Sequence, residues 1–455
     1  MTSLGNECYV GTLHYKELIP GISSIGVVET NTDATFYPTF VDATGSGITL
    51  RADATTLPFS VNPNTGDFTV ADTLKLDQDK VAIGKSAGDT TQGSSAVACG
   101  IQAGQTTQGA NAVAIGNEAG QTTQGTQAVG IGLRAGQITQ GANGVAIGRE
   151  AGETTQGDSA VACGYQAGEN SQGGSAVACG IQAGQTTQGS SAVACGIQAG
   201  QTTQGDNAVA IGREAGQISQ GVSAVACGYR AGENTQGANA VACGLLAGQT
   251  TQGANCVAVG NEAGQTTQGA DAVAIGNEAG QVSQGVSAVA CGFVAGETNQ
   301  GANAVAVGFQ AGQTTQGVSS VAVGLQAGET TQGASAVSVG QEAGQASQGD
   351  NSVAVGVRAG ENTQGIGSVA IGVQSAQTTQ GASAVACGSQ SGELNQGAQG
   401  VAMGNQAGQN NQGDQAVAIG IRSGQTSQGV GSVAVGNQAG ETSQSVGSVA
   451  VGSQA

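Results

Sequence analysis

The 455-residue chain has no Trp, a single His and four Pro, and aromatic residues make up only 2% of it. A large globular core normally relies on Leu, Phe and Trp, so a chain without them must pack small side chains in thin layers. The four Pro fall before residue 64 and Gly does not recur at every third residue, which excludes a collagen triple helix. No stretch reaches 18 apolar residues, so the sequence predicts no membrane span.

Charge is also scarce, at 9% of residues, and the formal net charge is −19. Because no basic stripe is present to neutralise phosphates, nucleic acid is excluded as a primary partner. The N-terminus, MTSLGNECYVGTLHYKELIPG, lacks a basic start followed by an apolar run, which predicts no secretory signal peptide and synthesis in a cytoplasm.

Catalytic signatures are missing from the sequence. It shows no P-loop and no nucleophile with a partnered base, and scattered acids such as Glu118, Glu150 and Glu214 are typical of a solvated face. The pattern of regular carboxylates that binds calcium in nonapeptide repeats is missing too. We therefore expect a protein that is not an enzyme and that holds no cofactor or metal.

What the chain does contain is a 16-residue repeat. From Val81 to Val449 a Val recurs every 16 residues, giving 24 starts of the unit V-A-(I/V/C)-G-x-x-(A/S)-G-(Q/E)-x-(T/S/N)-Q-G-x-x-(A/S). Sixteen residues suit one turn of a β-solenoid with two short strands, at VAI and TTQ. We number the coil positions 1 to 16 from the Val. Gly at positions 4, 8 and 13 predicts corners, and positions 8 and 13 depart only at Ala376 and Ser445.

Strand alternation assigns positions 1 and 3 to one face and position 2 to the other. We expect Val at position 1 and Ile, Cys, Val or Met at position 3 to line the coil interior. Position 2 is held to Ala with two exceptions, Gly130 and Ser338, which indicates close packing against another copy of the chain. An Ala that merely fits a tight coil is the alternative. The predicted subunit interface is Ala98, Ala114, Ala146, Ala162, Ala178, Ala194 and Ala210.

Position 12 is Gln in every complete unit, which predicts a ladder of amides hydrogen-bonded along the axis. A repeated ligand-binding amide is the alternative. The ladder is expected to include Gln108, Gln124, Gln140, Gln156, Gln172 and Gln188. Position 9 mixes Gln with Glu, and Glu153 and Glu169 are the one pair of Glu in adjacent coils, as expected for a stack that avoids like charges.

Eight of the ten Cys occupy position 3, where Ile or Val otherwise stands. We expect them to behave as reduced, buried hydrophobic side chains rather than as a disulfide or zinc framework. They are Cys99, Cys163, Cys179, Cys195, Cys227, Cys243, Cys291 and Cys387. Ice binding through Thr at positions 10 and 11 is a further alternative, although position 10 varies through Ile138, Val282 and Leu394.

The repeated NAVAIG signature resembles the head repeats of trimeric autotransporter adhesins over residues 81–455. That resemblance implies a left-handed parallel β-roll, or β-solenoid, of 24 coils in a homotrimer, with Ala at position 2 near the three-fold axis. The repeat here is two residues longer than the unit of near 14 residues in that family, and no coiled-coil stalk or membrane anchor is recognisable.

The earlier segments ATFYPTFVDATGSG and NPNTGDFTV resemble tail-fibre and other structural proteins of phages and large DNA viruses. Pro63, Asn64 and Gly66 also predict a turn between two strands. We expect residues 1–78 to form a small N-terminal β domain that anchors or caps a shaft of residues 79–455.

The combined prediction is an all-β viral fibre on the virion surface. It would be a homotrimeric rod made in the host cytoplasm, attached to other virion proteins at its N-terminal end and able to meet a host receptor. The alternatives are a cell-surface trimeric adhesin head without its anchor, located outside the cell, and an ice-binding solenoid.

Overall fold

The computed structural model describes residues 59–61, 68–70 and 79–455. Phe59–Val61 pairs antiparallel with Phe68–Val70, and Phe59 lies opposite Val70. Two strands therefore flank the predicted turn, whose own residues, with the remainder of the predicted N-terminal domain, lie outside the described residues. The chain divides into two compact units after Val81, close to the predicted boundary.

The repeat region is a parallel β-solenoid in which each 16-residue unit makes one coil. Positions 1 to 3 of every coil form a three-residue strand, because β-branched residues favour extended backbone. We call this ladder the VAI sheet. Its strands are Val81–Ile83, Val97–Cys99, Val113–Ile115, Val129–Ile131, Val145–Ile147, Val161–Cys163, Val177–Cys179, Val193–Cys195, Val209–Ile211, Val225–Cys227, Val241–Cys243, Val257–Val259, Val273–Ile275, Val289–Cys291, Val305–Val307, Val321–Val323, Val337–Val339, Val353–Val355, Val369–Ile371, Val385–Cys387, Val401–Met403, Val417–Ile419, Val433–Val435 and Val449–Val451.

Positions 11 and 12 form the second ladder, which we call the TQ sheet. Its two-residue strands are Thr91–Gln92, Thr107–Gln108, Thr123–Gln124, Thr139–Gln140, Thr155–Gln156, Ser171–Gln172, Thr187–Gln188, Thr203–Gln204, Ser219–Gln220, Thr235–Gln236, Thr251–Gln252, Thr267–Gln268, Ser283–Gln284, Asn299–Gln300, Thr315–Gln316, Thr331–Gln332, Ser347–Gln348, Thr363–Gln364, Thr379–Gln380 and Asn395–Gln396. Single parallel bridges continue the ladder through Gln412 and Gln428 to Gln444. Residues 79–455 contain no helix.

Both sheets are in register, so that each residue pairs with its equivalent in the next coil. Val145 pairs with Val161, for example, and Gln140 pairs with Gln156. Parallel strands lie about 4.8 Å apart, so 24 rungs make a rod on the order of 110 Å long. The predicted all-β solenoid with a 16-residue coil is confirmed.

The interior of the coil differs from the prediction. In every coil but the first and the last, Ala at position 2 is fully buried, whereas Val at position 1 is half-buried and the side chain at position 3 is half-buried or exposed. Ala or Ser at position 7, Gln at position 12 and a small residue at position 16 complete the interior. The alternation along the strand was predicted correctly, but the face that points inward was assigned wrongly.

The width of the coil explains this choice of face. The Gln124 amide Nε2 in the TQ sheet donates to the carbonyl oxygen of Val113 in the VAI sheet, at 2.8 Å, so one Gln side chain spans the interior. What space remains is filled by Ala, as in the continuous cluster that runs from Ala135 to Ala290. An interior this narrow has no room for Val and Ile, because close packing leaves no gap into which larger groups could settle.

The Gly corners have two different physical causes. At position 4, Gly260 has a φ of +138°, and a Cβ there would overlap the backbone of Gly276 in the next coil. At position 8, Gly264 has a φ of +54°, and a Cβ would lie 3.0 Å from the Gln268 amide oxygen. Two further corners are made by residues other than Gly, since positions 6 and 15 also have positive φ, as at Glu262 and Asn255. Asn and Ser are the commonest residues at position 15, and short polar side chains of this kind tolerate the conformation.

Candidate functional site: an outer apolar face

The side chains of positions 1 and 3 project outward from the VAI sheet and form what we call the apolar face. Ile115 is 39% exposed and Met403 is 44% exposed, while the Val residues between them are half-buried. Because the sheet is in register, this face continues along every coil of the rod. It is the candidate site for assembly.

A signal for this face was present in the sequence. Position 3 accepts Ile, Val, Cys and Met, whereas position 2 accepts almost nothing but Ala. Tolerance of different volumes indicates a loosely confined side chain, and restriction to Ala indicates a confined one. The sequence interpretation instead placed the larger apolar groups inside, following the general preference of Val and Ile for the core.

The predicted interface alanines do not lie on any outer surface. All seven are fully buried within a single chain, so they have no surface left to offer to a second copy. This part of the prediction was wrong because these methyl groups pack in the core of the narrow coil itself. The residues are Ala98, Ala114, Ala146, Ala162, Ala178, Ala194 and Ala210.

The Gln ladder at position 12 is formed in segments. Gln124 Nε2 donates to Gln140 Oε1 at 3.1 Å, and Gln156 donates to Gln172 at the same distance. Gln108 and Gln188 are buried and donate to the carbonyl oxygens of Val97 and Val177 without an amide–amide bond to the next Gln.

The longest segment runs without a break from Gln252 to Gln396, each amide donating to the next carbonyl oxygen at 3.0–3.2 Å. The Oε1 of Gln252, which begins this segment, has no partner. Since every amide also donates to a backbone carbonyl across the coil, the ladder holds the two sheets together and is part of the structure of the rod.

A second, half-buried ladder lies at position 9. A Gln amide donates to the carboxylate of the preceding coil, as from Gln185 to Glu169 and from Gln377 to Glu361, both at 2.6 Å. Such charge-assisted bonds are stronger than neutral ones. A Gln in the coil after a Glu therefore gives the carboxylate a hydrogen-bond donor and also avoids placing two negative charges in adjacent coils.

The adjacent pair Glu153 and Glu169 is the exception, and Glu150 joins it in a group whose carboxylate oxygens lie within 4.8 Å of one another. Burial raises the pKa of Glu153, the Glu150 carboxylate raises it further, and Arg134 offsets part of the effect. Arg134 lies 3.8 Å from Glu153 and 3.1 Å from Glu118. Glu150 is buried, contrary to the expectation of a solvated face, and Arg149 lies 3.2 Å from it. We interpret the group as a partly buried acidic cluster that Arg134 and Arg149 compensate.

We expect Glu153→Gln to stabilise its coil at neutral pH. A carboxyl whose folded pKa is raised is disfavoured in its charged form, so its cost grows as pH rises from the unfolded pKa of about 4.3 through the folded value. Because Glu153 is only partly buried and still reaches solvent, screening limits the gain to about 0.5 kcal/mol or less. Hydrogen exchange of this coil at pH 4 and pH 7 measures the effect. Glu361→Gln is the matched control and should give no gain, because Gln377 already satisfies that carboxylate; equal gains in both variants would contradict the prediction.

The outer face of the TQ sheet carries Thr, Ser or Asn at position 11, exposed in most coils and in register between coils. Position 10 beside it is irregular, with Ile138, Ile218 and Val282 exposed among the Thr residues. The row of polar side chains is therefore regular at position 11 and interrupted by apolar residues at position 10.

The eight Cys at position 3 are not interior residues, contrary to the prediction. Cys179, Cys195 and Cys243 are exposed and the other five are half-buried, because position 3 belongs to the apolar face. Among the cysteines of residues 79–455, Cys256 at position 16 is the buried one, with its Sγ 2.7 Å from the Gly269 carbonyl oxygen, and burial raises the pKa of its thiol.

Aromatic residues at position 5 stack along the rod axis. The rings of Phe293 and Phe309 are parallel within 7° at a centroid distance of 5.2 Å. The Arg149 guanidinium lies 5.5 Å from the Tyr165 ring centre, and Arg213 lies 5.7 Å from that of Tyr229. These contacts join neighbouring coils on the surface and are each worth about 0.5–1.5 kcal/mol.

Comparison with known proteins finds no family model that matches this chain and no curated protein that is similar to it. Among the described residues there is no helix with the length and hydropathy needed to cross a membrane. The fold and surface therefore define the class of this protein, a tandem-repeat β-solenoid with the form of a stiff rod.

Proposed function

We propose that the chain is the shaft of a viral fibre or appendage and that it assembles as a homotrimer through the apolar face. The rod-like solenoid is consistent with a structural fibre. The observation that carries the proposal is the outward direction of positions 1 and 3 in coil after coil. The function of such a shaft would be mechanical. Stacked coils resist bending, so the rod would act as a stiff spacer that projects from the virion.

The size of the apolar face favours a protein partner. Two residues of strand span about 6.6 Å, which over a rod of about 110 Å gives roughly 700 Å². Soluble monomers rarely expose contiguous apolar patches above a few hundred Å², and a stable interface buries about 800 Å² on each partner. The face is therefore of the size of a complete interface.

The regular spacing of the face favours a second copy of the chain as that partner. Every rung presents the same two positions at the same axial distance, so a partner must repeat at that distance to meet them all equally. Another rod of this chain, parallel and level with the first, does so. The resemblance to trimeric adhesin heads supports three copies around one axis, now with the apolar face inward instead of the alanines.

Native mass spectrometry of the full chain tests the assembly, with a species of three chain masses expected. A variant carrying Ile211→Lys, Ile275→Lys and Ile371→Lys should be monomeric, because three charges would be buried in the interface. The matched control places the same three Lys on the outer TQ sheet, at Thr203, Thr267 and Thr363, and should remain trimeric. A dimer would contradict the three-fold arrangement, and a monomeric wild-type chain would contradict self-association altogether.

Location on a virion, attachment to other virion proteins by the N-terminal end and contact with a host receptor are part of the same proposal. They are supported by the viral resemblance of residues 30–70 and by the exposed aromatic residues at position 5. Immunogold labelling of purified particles should mark projecting fibres. Labelling of cell surfaces without particles would instead favour the adhesin head.

One observation favours ice binding as a second candidate, namely the in-register row of exposed Thr at position 11. The irregular position 10 weakens the match to a lattice. A thermal-hysteresis measurement on the purified chain separates the two functions, since a structural shaft should give none.

A further inference from the structure

Position 3 brings cysteine thiols together on the outer surface in two places. Cys163, Cys179 and Cys195 occupy three successive strands of the VAI sheet, and each pairs in register with the next. Cys227 and Cys243 occupy two successive strands in the same way.

We propose that these two thiol ladders are binding sites for a soft, low-coordinate metal ion, of which Cu(I) is the physiological example. The site belongs to one chain and does not depend on the proposed self-association. In each ladder two neighbouring thiols give up their protons and one Cu⁺ bridges the two thiolates, giving S–Cu–S with the release of two H⁺. No electron is transferred in this step.

The spacing of the strands matches this geometry better than it matches a disulfide. Equivalent atoms in neighbouring rungs lie about 4.8 Å apart, and the Cβ atoms of a disulfide must approach to about 3.5–4.5 Å. A metal–thiolate bond is about 2.3 Å long, so two such bonds in line span about 4.6 Å. An ion therefore fits between two rungs without movement of the backbone.

The number of ligands selects the class of metal. Within residues 79–455, the one group of three or more side chains with ligand atoms this close together is the Glu150 group, which contains no Cys. Each ladder thus offers neighbouring thiolates without the four ligands that structural zinc requires. Thiolates alone favour Cu(I) over the harder divalent ions.

The same chain contains the control for this inference. Cys99 and Cys291 also stand at position 3 on the apolar face, but their neighbours in the sheet are Ile or Val. Cys387 is left out of the control because its neighbour Met403 offers a thioether, which is also a soft ligand. A single thiolate cannot bridge an ion to a second rung. Cys99 and Cys291 have the same kind of strand and surface as the ladders but lack the paired ligand.

Titration of the full-length protein with Cu(I), in competition with a chromogenic Cu(I) chelator under anaerobic conditions, tests the proposal. We expect each chain to withdraw about two equivalents of Cu(I) from the chelator, one for each ladder. Cys179→Val combined with Cys243→Val should abolish both, because Cys163 and Cys195 are then two rungs apart, roughly 9.6 Å. Val already occupies position 3 at Val259 and Val307, so the fold should be unchanged by circular dichroism.

The control variant carries Cys99→Val and Cys291→Val and should keep both equivalents. Retention of copper by the double variant, equal loss in the two variants or no uptake by the wild-type chain would each overturn the proposal. Native mass spectrometry of the same samples reports assembly separately. A monomer that binds two copper ions would contradict the proposed trimer but support the copper sites. A trimer that binds no copper would support the proposed assembly but contradict the copper sites.

Discussion

Gly260→Ala is expected to open the solenoid locally and to remove hydrogen-exchange protection from the strands on either side of it. The added Cβ would lie 2.7 Å from the Gly276 carbonyl carbon and closer still to its oxygen, and the backbone φ of +138° is one that side chains rarely adopt. The strain alone costs about 1–3 kcal/mol, and the overlap with rigid backbone adds to it. We expect a local loss of about 3 kcal/mol or more.

The control is Gly431→Ala, because Gly431 also has positive φ, +64°, but nothing lies within 4 Å of its missing Cβ. That variant should lose only about 1 kcal/mol, the ordinary cost of a left-handed conformation. Gly431→Asn should lose less, since Asn303 and Asn351 hold the same coil position. Equal protection of Val257–Val259 and Val273–Ile275 in Gly260→Ala and in the wild type would contradict the close stacking of the coils.

Gln268→Glu is expected to have an effect of similar size that depends on pH. Gln268 is 2% exposed, and its amide donates to the Val257 carbonyl at 2.8 Å and to Gln284 at 3.0 Å. A carboxylate offers no donor for these oxygens, and it would be a buried charge supported by the neutral Gln252 amide rather than by a cation, which costs about 3–5 kcal/mol. At neutral pH the variant should therefore lose the coil around residue 268.

The acid form of that Glu can donate one hydrogen bond, so its folded pKa is expected to be raised. Stability is then highest below the unfolded pKa of about 4.3 and falls as pH rises through the folded value. Gln201→Glu, at position 9 of another coil, is the control. Position 9 accepts Glu in other coils, position 6 of this coil is Gln198, and both neighbouring rungs, Gln185 and Gln217, are amides. Hydrogen exchange at pH 4 and pH 7 should show a pH-dependent loss for residue 268 only; equal behaviour of the two variants would show that the interior ladder is not essential.

Much of the fold was accessible from the repeat itself. A 16-residue period can hold little besides one coil with two short strands, and Gly in constant phase marks corners wherever the chain must turn. The amide ladder was also predictable, because an invariant Gln in a stack has its own copies as neighbours. The corner at position 6 was not, since Glu262 and Arg358 carry no signal for positive φ, whereas the Asn and Ser residues at position 15 did offer one.

The face of the strand that points inward was decided by the tertiary structure. Alternation along V-A-I separates the two faces, and by hydrophobicity alone Val and Ile belong inside. The coil, however, is only wide enough for a Gln side chain and a few methyl groups, so Ala258 is enclosed and Val259 lies at the surface, 37% exposed.

The sequence by itself thus determined the period, the strands, the Gly corners and the ladders, because these are local or repeat from one coil to the next. The closed cross-section determined which residues are core, which are surface and where the thiols lie. That width results from all 16 residues closing together, and no single position of the repeat specifies it.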